Sequence, residues 1–163
     1  MLPETRATLA KLRSFLTGKQ LDTWQGEIPY LPQYAAIEYF HSRVKLIDSS
    51  GVSGVRFLTV YAQDTVEISN QRLEYVFSGL SKDGKLYLVA HFPVFVSTQE
   101  SDEWERAFKR ILNRDLTDES LEYRTYLKSV IDSLEKREDR AFQPDLAKLD
   151  QLLQSVDVSQ ARF

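Results

Sequence analysis

The feature that most limits how this chain can fold lies between Ala36 and Phe95. Four runs dominated by Val, Tyr, Phe, Ile and Thr, namely EYFHSRVKLID, VRFLTVYAQ, RLEYVFSGL and KLYLVAHFPV, follow one another with only short turn-like connections. Such residues suit a pleated, half-buried surface. Parallel strands need crossovers of a dozen residues or more, so the connections at 49–54, 64–71 and 82–84 predict an antiparallel meander. Asp83-Gly84 is the strongest turn signal, and it leaves two registers open. A two-residue type I′ loop puts Tyr75 and Phe77 on the face of Leu88, Ala90 and Phe92, whereas a three-residue loop with a glycine bulge groups them with Tyr87 and His91. In either register both faces carry large apolar groups, so neither is expected to be fully wet.

The flanks change to a helical period. Leu9, Leu12, Phe15 and Leu16 form one stripe over 3–17, with Pro3 suited to the first turn and Gly18 to a C-terminal cap. Lys19 to Tyr34 holds Trp24, Gly26, Pro29 and Pro32 and reads as a loop, and its aromatics Trp24, Tyr30 and Tyr34 suggest that it lies across the domain. After Val96 three helices are predicted. The first has Ser101 as N-cap and Trp104, Ala107, Phe108, Ile111 and Leu112 as its stripe. The second starts at Thr117 and carries Tyr123, Leu127, Val130, Ile131 and Leu134. The third, after Pro144, carries Leu146, Leu149, Leu152, Leu153 and Val156. The expected class is therefore α+β: a four-stranded antiparallel meander preceded by a short helix and followed by three helices. Residues 1–34 are read as a helix and loop packing on a single domain over 35–163, the size at which one core is usual.

Composition removes several functions. The 163 residues contain no cysteine, which excludes disulfides, thiolate catalysis and zinc-thiolate or iron–sulfur sites. With 21 Lys+Arg against 24 Asp+Glu, mixed along the chain, the net charge of -3 offers no basic stripe, and nucleic acid is not expected as a partner. No apolar run approaches the ~20 residues of a membrane span, and the charged N-terminus does not resemble a signal peptide.

Candidate chemistry is sparse. His41 and His91 lack metal-ligand spacing and read first as half-buried sheet residues, with pH sensitivity as their functional reading. Asp48, Asp64, Glu67 and Asp83 read as turn acids, since Asp bonds its own backbone in turns. Glu38, Arg56 and Glu74 lie within strand runs and are expected in cross-strand ion pairs. There is no G-x-S-x-G, phosphate loop or H-E-x-x-H, so neither a catalytic set nor a cofactor is assigned. The aromatic content of the sheet is the most unusual feature, with Tyr39, Phe40, Phe57, Tyr61, Tyr75, Phe77, Tyr87, Phe92 and Phe95 all in the strand region. Tyr61, Tyr75, Tyr87 and His91 are the candidates for a ligand or partner surface. It would take a protein, a peptide or a small apolar ligand, and a homodimer interface would use the same residues. The competing expectation is a hydrolase built on a carboxylate and one of the histidines, or a structural part of a larger assembly.

The stretch from 54 to 94 also resembles a segment of an uncharacterised bacterial family, mainly cyanobacterial and associated with secreted lipoproteins. The matching pieces are GVRFLT and YAQ, LEY-V-F-GL, and DGK-Y with FPV. FQPDLAKLDQLLQSVDV, residues 142–158, resembles the end of such domains. The resemblance implies an extracytoplasmic domain of the cell envelope and no known activity. The sequence carries neither signal nor lipidated cysteine, which is equally compatible with a cytoplasmic relative.

Overall fold

Alternation, bulges and long-range ion pairs decide how the strand runs sit together. The computed structural model of the protein describes residues 3–18, 28–31, 36–112 and 115–158. Helix α1 (Pro3–Gly18) precedes strands β1 (Ile37–Glu38), β2 (Ser42–Asp48), β3 (Val52–Thr59), β4 (Tyr61–Ala62), β5 (Glu74–Ser81) and β6 (Tyr87–Pro93). Helices α2 (Thr98–Ile111), α3 (Leu121–Glu135) and α4 (Leu146–Gln154) follow, with a 3₁₀ turn at Asp139–Ala141 between the last two. The protein is an α+β fold. Its main sheet has the order β2-β3-β5-β6 with every pair antiparallel, and β1 and β4 form a separate two-stranded ribbon.

The strand count therefore exceeds the sequence expectation, because the first two runs are each interrupted. Ile37 pairs with Ala62, Ser42 with Leu58 and Lys45 with Arg56, so the register slips on the way from ribbon to sheet. The second slip falls at Arg43, whose φ of 54° is left-handed. A bulge frees backbone groups that must find partners elsewhere. Here the Arg43 N–H donates to the Glu135 carboxylate and its carbonyl accepts from the Arg56 guanidinium.

The β5–β6 hairpin settles the register. Tyr75 opposes Phe92, Phe77 opposes Ala90 and Gly79 opposes Leu88. That is the pairing of the two-residue loop, but the turn is not type I′. Ser81 N–H donates to the Leu86 carbonyl at 3.0 Å and Gly84 N–H to the Ser81 carbonyl at 2.8 Å, so Lys82 to Lys85 all lie in the loop. Only Gly84, at φ 69°, is left-handed, whereas type I′ needs Asp83 there as well. The Ser81 hydroxyl explains the wider loop: it donates to Asp83 and accepts from Leu86 N–H, replacing backbone bonds with side-chain ones.

This register gives the sheet two apolar faces. One carries Ile47, Val52, Leu58, Tyr75 and Phe77 against Trp104, Phe108, Tyr123, Tyr126, Val130, Leu134, Leu146 and Leu153 of α2, α3 and α4. On it Gly54 and Gly79 face each other across β3 and β5, and the Phe77 ring lies over both. A Cβ built on Gly54 would stand 2.3 Å from that ring. The other face carries Val55, Phe57, Val76 and Leu80 against Leu12 and Phe15 of α1 and against Ile28. The predicted α1 stripe is therefore the packing stripe, and Arg13 reaches the hairpin, donating to the Gly84 carbonyl at 3.0 Å. Trp24, Gly26, Pro32, Tyr34 and the tail to Phe163 lie outside the described residues.

Three helix-boundary expectations are corrected. α2 starts four residues earlier than expected, capped by Ser97, whose side chain accepts from Glu100 N–H. Ser101 is buried within the helix and accepts from Asn70 N–H at 3.0 Å, fastening the β4–β5 connection. α3 begins after Ser120, because Thr117 closes a turn first by accepting from Ser120 N–H. α4 ends at Gln154, so Val156 packs from beyond its end and Leu152 is left half exposed.

Candidate functional site

Strand alternation sends Glu74, Val76 and Ser78 of β5, and Tyr87, Val89 and His91 of β6, to the face away from the three C-terminal helices. The segment Ile28–Leu31 lies against this face. Ile28 is buried beside Val55 and Phe57, and Tyr30 packs half-buried at the edge of the same cluster.

Tyr30, Tyr61 and His91 form a ring cluster. The Tyr30 and His91 rings meet edge to face at 5.4 Å between centroids, Tyr30 and Tyr61 lie 5.9 Å apart, and Tyr61 and His91 6.4 Å. Such tilted arrangements are the favourable ones for aromatic pairs. Polar tips join the rings into a relay. His91 Nδ1 stands 2.7 Å from Glu74 Oε2, and Nε2 is hydrogen-bonded to the Tyr30 hydroxyl. An ionised carboxylate only accepts, so the partners assign the neutral imidazole proton to Nδ1 and let Nε2 accept from the phenol. His91 and Glu74 remain accessible, with 28% and 40% of their side chains exposed.

Tyr87 and Ser78 hold the main chain of Ile28–Leu31. The Tyr87 hydroxyl accepts from Leu31 N–H at 2.9 Å and donates to the Leu31 carbonyl at 2.9 Å, and the Ser78 hydroxyl donates to the Pro29 carbonyl at 2.9 Å. The two hydroxyls are 3.2 Å apart, and each spends its single proton on a carbonyl of the segment.

The structure thus brings Tyr61, Tyr87 and His91 to one face and adds Tyr30, which sequence reading placed only in a loop. Tyr75 belongs to the opposite face. It is fully buried, donates to Asp150 Oδ1 at 2.8 Å and lies under the Arg56 guanidinium at 5.9 Å, so it contributes no surface. Burial, and then the adjacent Asp150 charge, hold its phenol far above the ordinary tyrosine range.

The ion pairs expected across the strands are also rearranged. Glu38 pairs with His41 at 3.0 Å and Glu74 with His91, while Arg56 has no strand acid. Its direct neighbour across β2 is Lys45, and this doubled positive charge is met by acids from the C-terminal third. Asp150 of α4 takes Lys45 at 2.7 Å and Arg56 at 3.2 Å. Asp139 of the 3₁₀ turn takes Arg43 and, at 3.4 Å, Arg56. Arg56 and Asp150 are both almost wholly buried, which makes this cluster a clamp between sheet and helices instead of an accessible site. Of the turn acids, Asp48 binds Lys82 and Ser53, Glu67 stands 3.6 Å from Arg72, and Asp83 accepts within its own loop.

Two cavities are lined by residues in and beside α2 and α3, away from both histidines. One of about 430 Å³ is polar, with Glu100 and Arg137 paired in it beside Ser129 and Ser133. The other, of about 470 Å³, is apolar, with Ala107, Ile111, Leu121 and Tyr126. Among the described residues no group of three His, Asp or Glu side chains is placed to hold a metal ion, and no helix is long and apolar enough to cross a membrane. Comparison of the chain with protein-family models, with curated proteins and with solved structures finds no match to any of them.

Proposed function

We propose that this protein is a non-catalytic binding domain of the bacterial cell envelope that takes its ligand on the sheet face bearing Tyr61, Tyr87 and His91. The observation that carries this reading is the accessibility of that cluster. Tyr61, Tyr87 and His91 are all half-buried, so part of each ring stays open on the face that α2, α3 and α4 leave uncovered, while the Tyr87 hydroxyl and the His91 nitrogens already hold Leu31, Tyr30 and Glu74. Rings with a polar tip are the side chains most used for recognition, because they give large contact area with little lost rotamer freedom. The envelope location rests on the resemblance of 54–94 to the lipoprotein family. Fractionation of cells expressing the native gene tests it, and recovery only in the cytosol would refute it.

Binding is tested by nuclear magnetic resonance with three probes: a short apolar peptide, a peptidoglycan-type oligosaccharide and phosphatidylglycerol vesicles. At least one should shift Tyr61, Tyr87 and His91 signals and lose affinity in a Tyr61→Ala/His91→Ala variant. Shifts confined to α2 and α3 would move the site to the cavities there and sink this reading.

A second reading, general-base hydrolysis, is favoured only by the Glu74–His91–Tyr30 relay, since an acid-oriented imidazole facing a hydroxyl is the arrangement that activates nucleophiles. It predicts turnover of chromogenic esters that disappears in His91→Gln. Equal background rates for both proteins remove it.

A further inference from the structure

The way Ile28–Leu31 lies on the sheet identifies what the face is shaped to hold. The segment is not a fifth strand of the main sheet, since among the described residues no strand pairing reaches it. Its main chain is instead read by side chains: Tyr87 takes both the N–H and the C=O of Leu31, and Ser78 takes the C=O of Pro29. Main-chain groups are common to every peptide, so these three bonds hold the segment's backbone without selecting its sequence. Selection comes from two side-chain seats. Ile28, only 3% exposed, fills the apolar seat beside Val55, Phe57 and Val76. Tyr30 fills the aromatic seat, with Tyr61 and His91 around its ring and Nε2 of His91 taking its hydroxyl. Next to this ground Val89 is 40% exposed, and β6 is an outer strand of the main sheet, so the surface continues beyond the segment instead of ending under it.

Resting on the binding reading above, we propose that the ligand is a short peptide segment of a partner protein with the pattern apolar–Pro–aromatic–apolar, and that Ile28–Leu31 occupies its seat within the same chain. The occupied seat lowers the apparent affinity for a partner by the fraction of molecules in which it is filled, so the protein's own segment sets the threshold for binding. A partner segment offering Ile-Pro-Tyr-Leu chemistry meets the same hydroxyls, the same apolar seat and the same rings.

The test uses the full chain and a fluorescein-labelled peptide carrying Ile-Pro-Tyr-Leu. Ile28→Ala empties the apolar seat, and Tyr30→Phe weakens the internal segment while leaving every core ring in place, which keeps the test usable if the first variant folds poorly. Fluorescence anisotropy should show saturable binding to both variants, at least about tenfold tighter in Ile28→Ala than in the unaltered protein. Adding Tyr87→Phe to either variant should weaken it about tenfold, the expected loss for two hydrogen bonds. A peptide methylated on the leucine nitrogen, unable to donate to Tyr87, should bind as weakly.

Absence of saturable binding to variants whose circular dichroism is unchanged would overturn the proposal, as would equal binding of the methylated peptide. Dimerisation of the Ile28→Ala variant without peptide binding would assign the seat to a second copy and overturn it too. If the oligosaccharide or the vesicles shift the Tyr61, Tyr87 and His91 signals while the peptide does not, the peptide proposal fails and the binding reading survives. If none of the three does, both fail.

Discussion

The two faces of the main sheet solve the same problem, polar groups under an apolar cover, by opposite means. Under α2, α3 and α4 the polar groups are ions: Arg56 and Asp150 pair directly, sealed from water, with the Tyr75 hydroxyl donating to Asp150. Under α1 and Ile28–Leu31 they are mainly hydroxyls and an imidazole: Ser78 is buried, but Tyr30, Tyr87 and His91, with the Glu74 carboxylate beside it, are half open to solvent. A buried ion pair is strongly intolerant of losing one member, whereas a hydroxyl or imidazole contact at the surface is replaced by water at small cost. The sealed ionic face suits permanent attachment, and the half-open face suits contacts that must be made and unmade.

The sharpest way to break this contrast is at Arg56. We predict that Arg56→Met, which leaves Asp150 buried beside Tyr75, destabilises the fold by about 3–5 kcal/mol in urea unfolding, and that adding Asp150→Leu recovers much of the loss. A loss under about 1 kcal/mol for the single variant would mean the cluster is open to water. Next in size, Gly54→Ala or Gly79→Ala must displace the Phe77 ring and crowd the neighbouring carbonyl, for about 1–3 kcal/mol. On the other face, Tyr87→Phe should cost only about 1–2 kcal/mol. Its effect should be local, with faster amide exchange at Leu31 and unchanged exchange in β3. Global unfolding of equal size would erase the distinction between the faces.

The smallest effect is that of pH. Burial works to raise the Asp139 carboxyl, but the hydrogen bond from Arg43 and the charges of Arg56, Arg43 and Lys45 outweigh it and hold the group below its ordinary 3.8. A folded value below the unfolded one means that the stabilisation is complete above pH 3.8 and fades as pH falls through the lower folded value. Asp139→Asn should therefore flatten the stability profile on the acid side of that point and leave its slope near neutrality alone. On the alkaline side burial pushes Tyr126 up to about 12, so its stabilisation is complete below 10 and fades as pH rises through 12. Spectrophotometric titration should show this phenol among the last to ionise.

Much of the fold was legible because it depends on local chemistry. Strand composition, short connections and helical stripes report on neighbours in sequence, and they led to the α+β meander and to the α1 stripe. The interruption of β2 was not legible, since Arg43 adopts its left-handed backbone only because Glu135 and Arg56 take its freed groups. The cap at Ser97 had a signal, S-x-x-E at 97–100, but a second serine before acids at 101–103 imitates it. The structure sets Lys45 opposite Arg56, a register that the sequence did not disclose, and nothing local names Asp139 and Asp150 as the acids those two cations require. At the candidate site the tyrosines and His91 were visible as residue types. Sorting Tyr75 from Tyr87 required the register, and Tyr30 entered only through a segment with no period of its own.

The clamp at Arg56 also has a consequence in time. Its acids lie far along the chain: Asp139 is 83 residues beyond it, and the Lys45–Asp150 bond spans 105. During synthesis from the N-terminus, β2 and β3 leave the ribosome long before either carboxylate exists, so Lys45 and Arg56 must wait, side by side and uncompensated, for α4. The outer strand β2 is therefore expected to dock last, and a growing chain stalled before Asp150 should hold β3, β5 and β6 together while β2 still exchanges its amides with water.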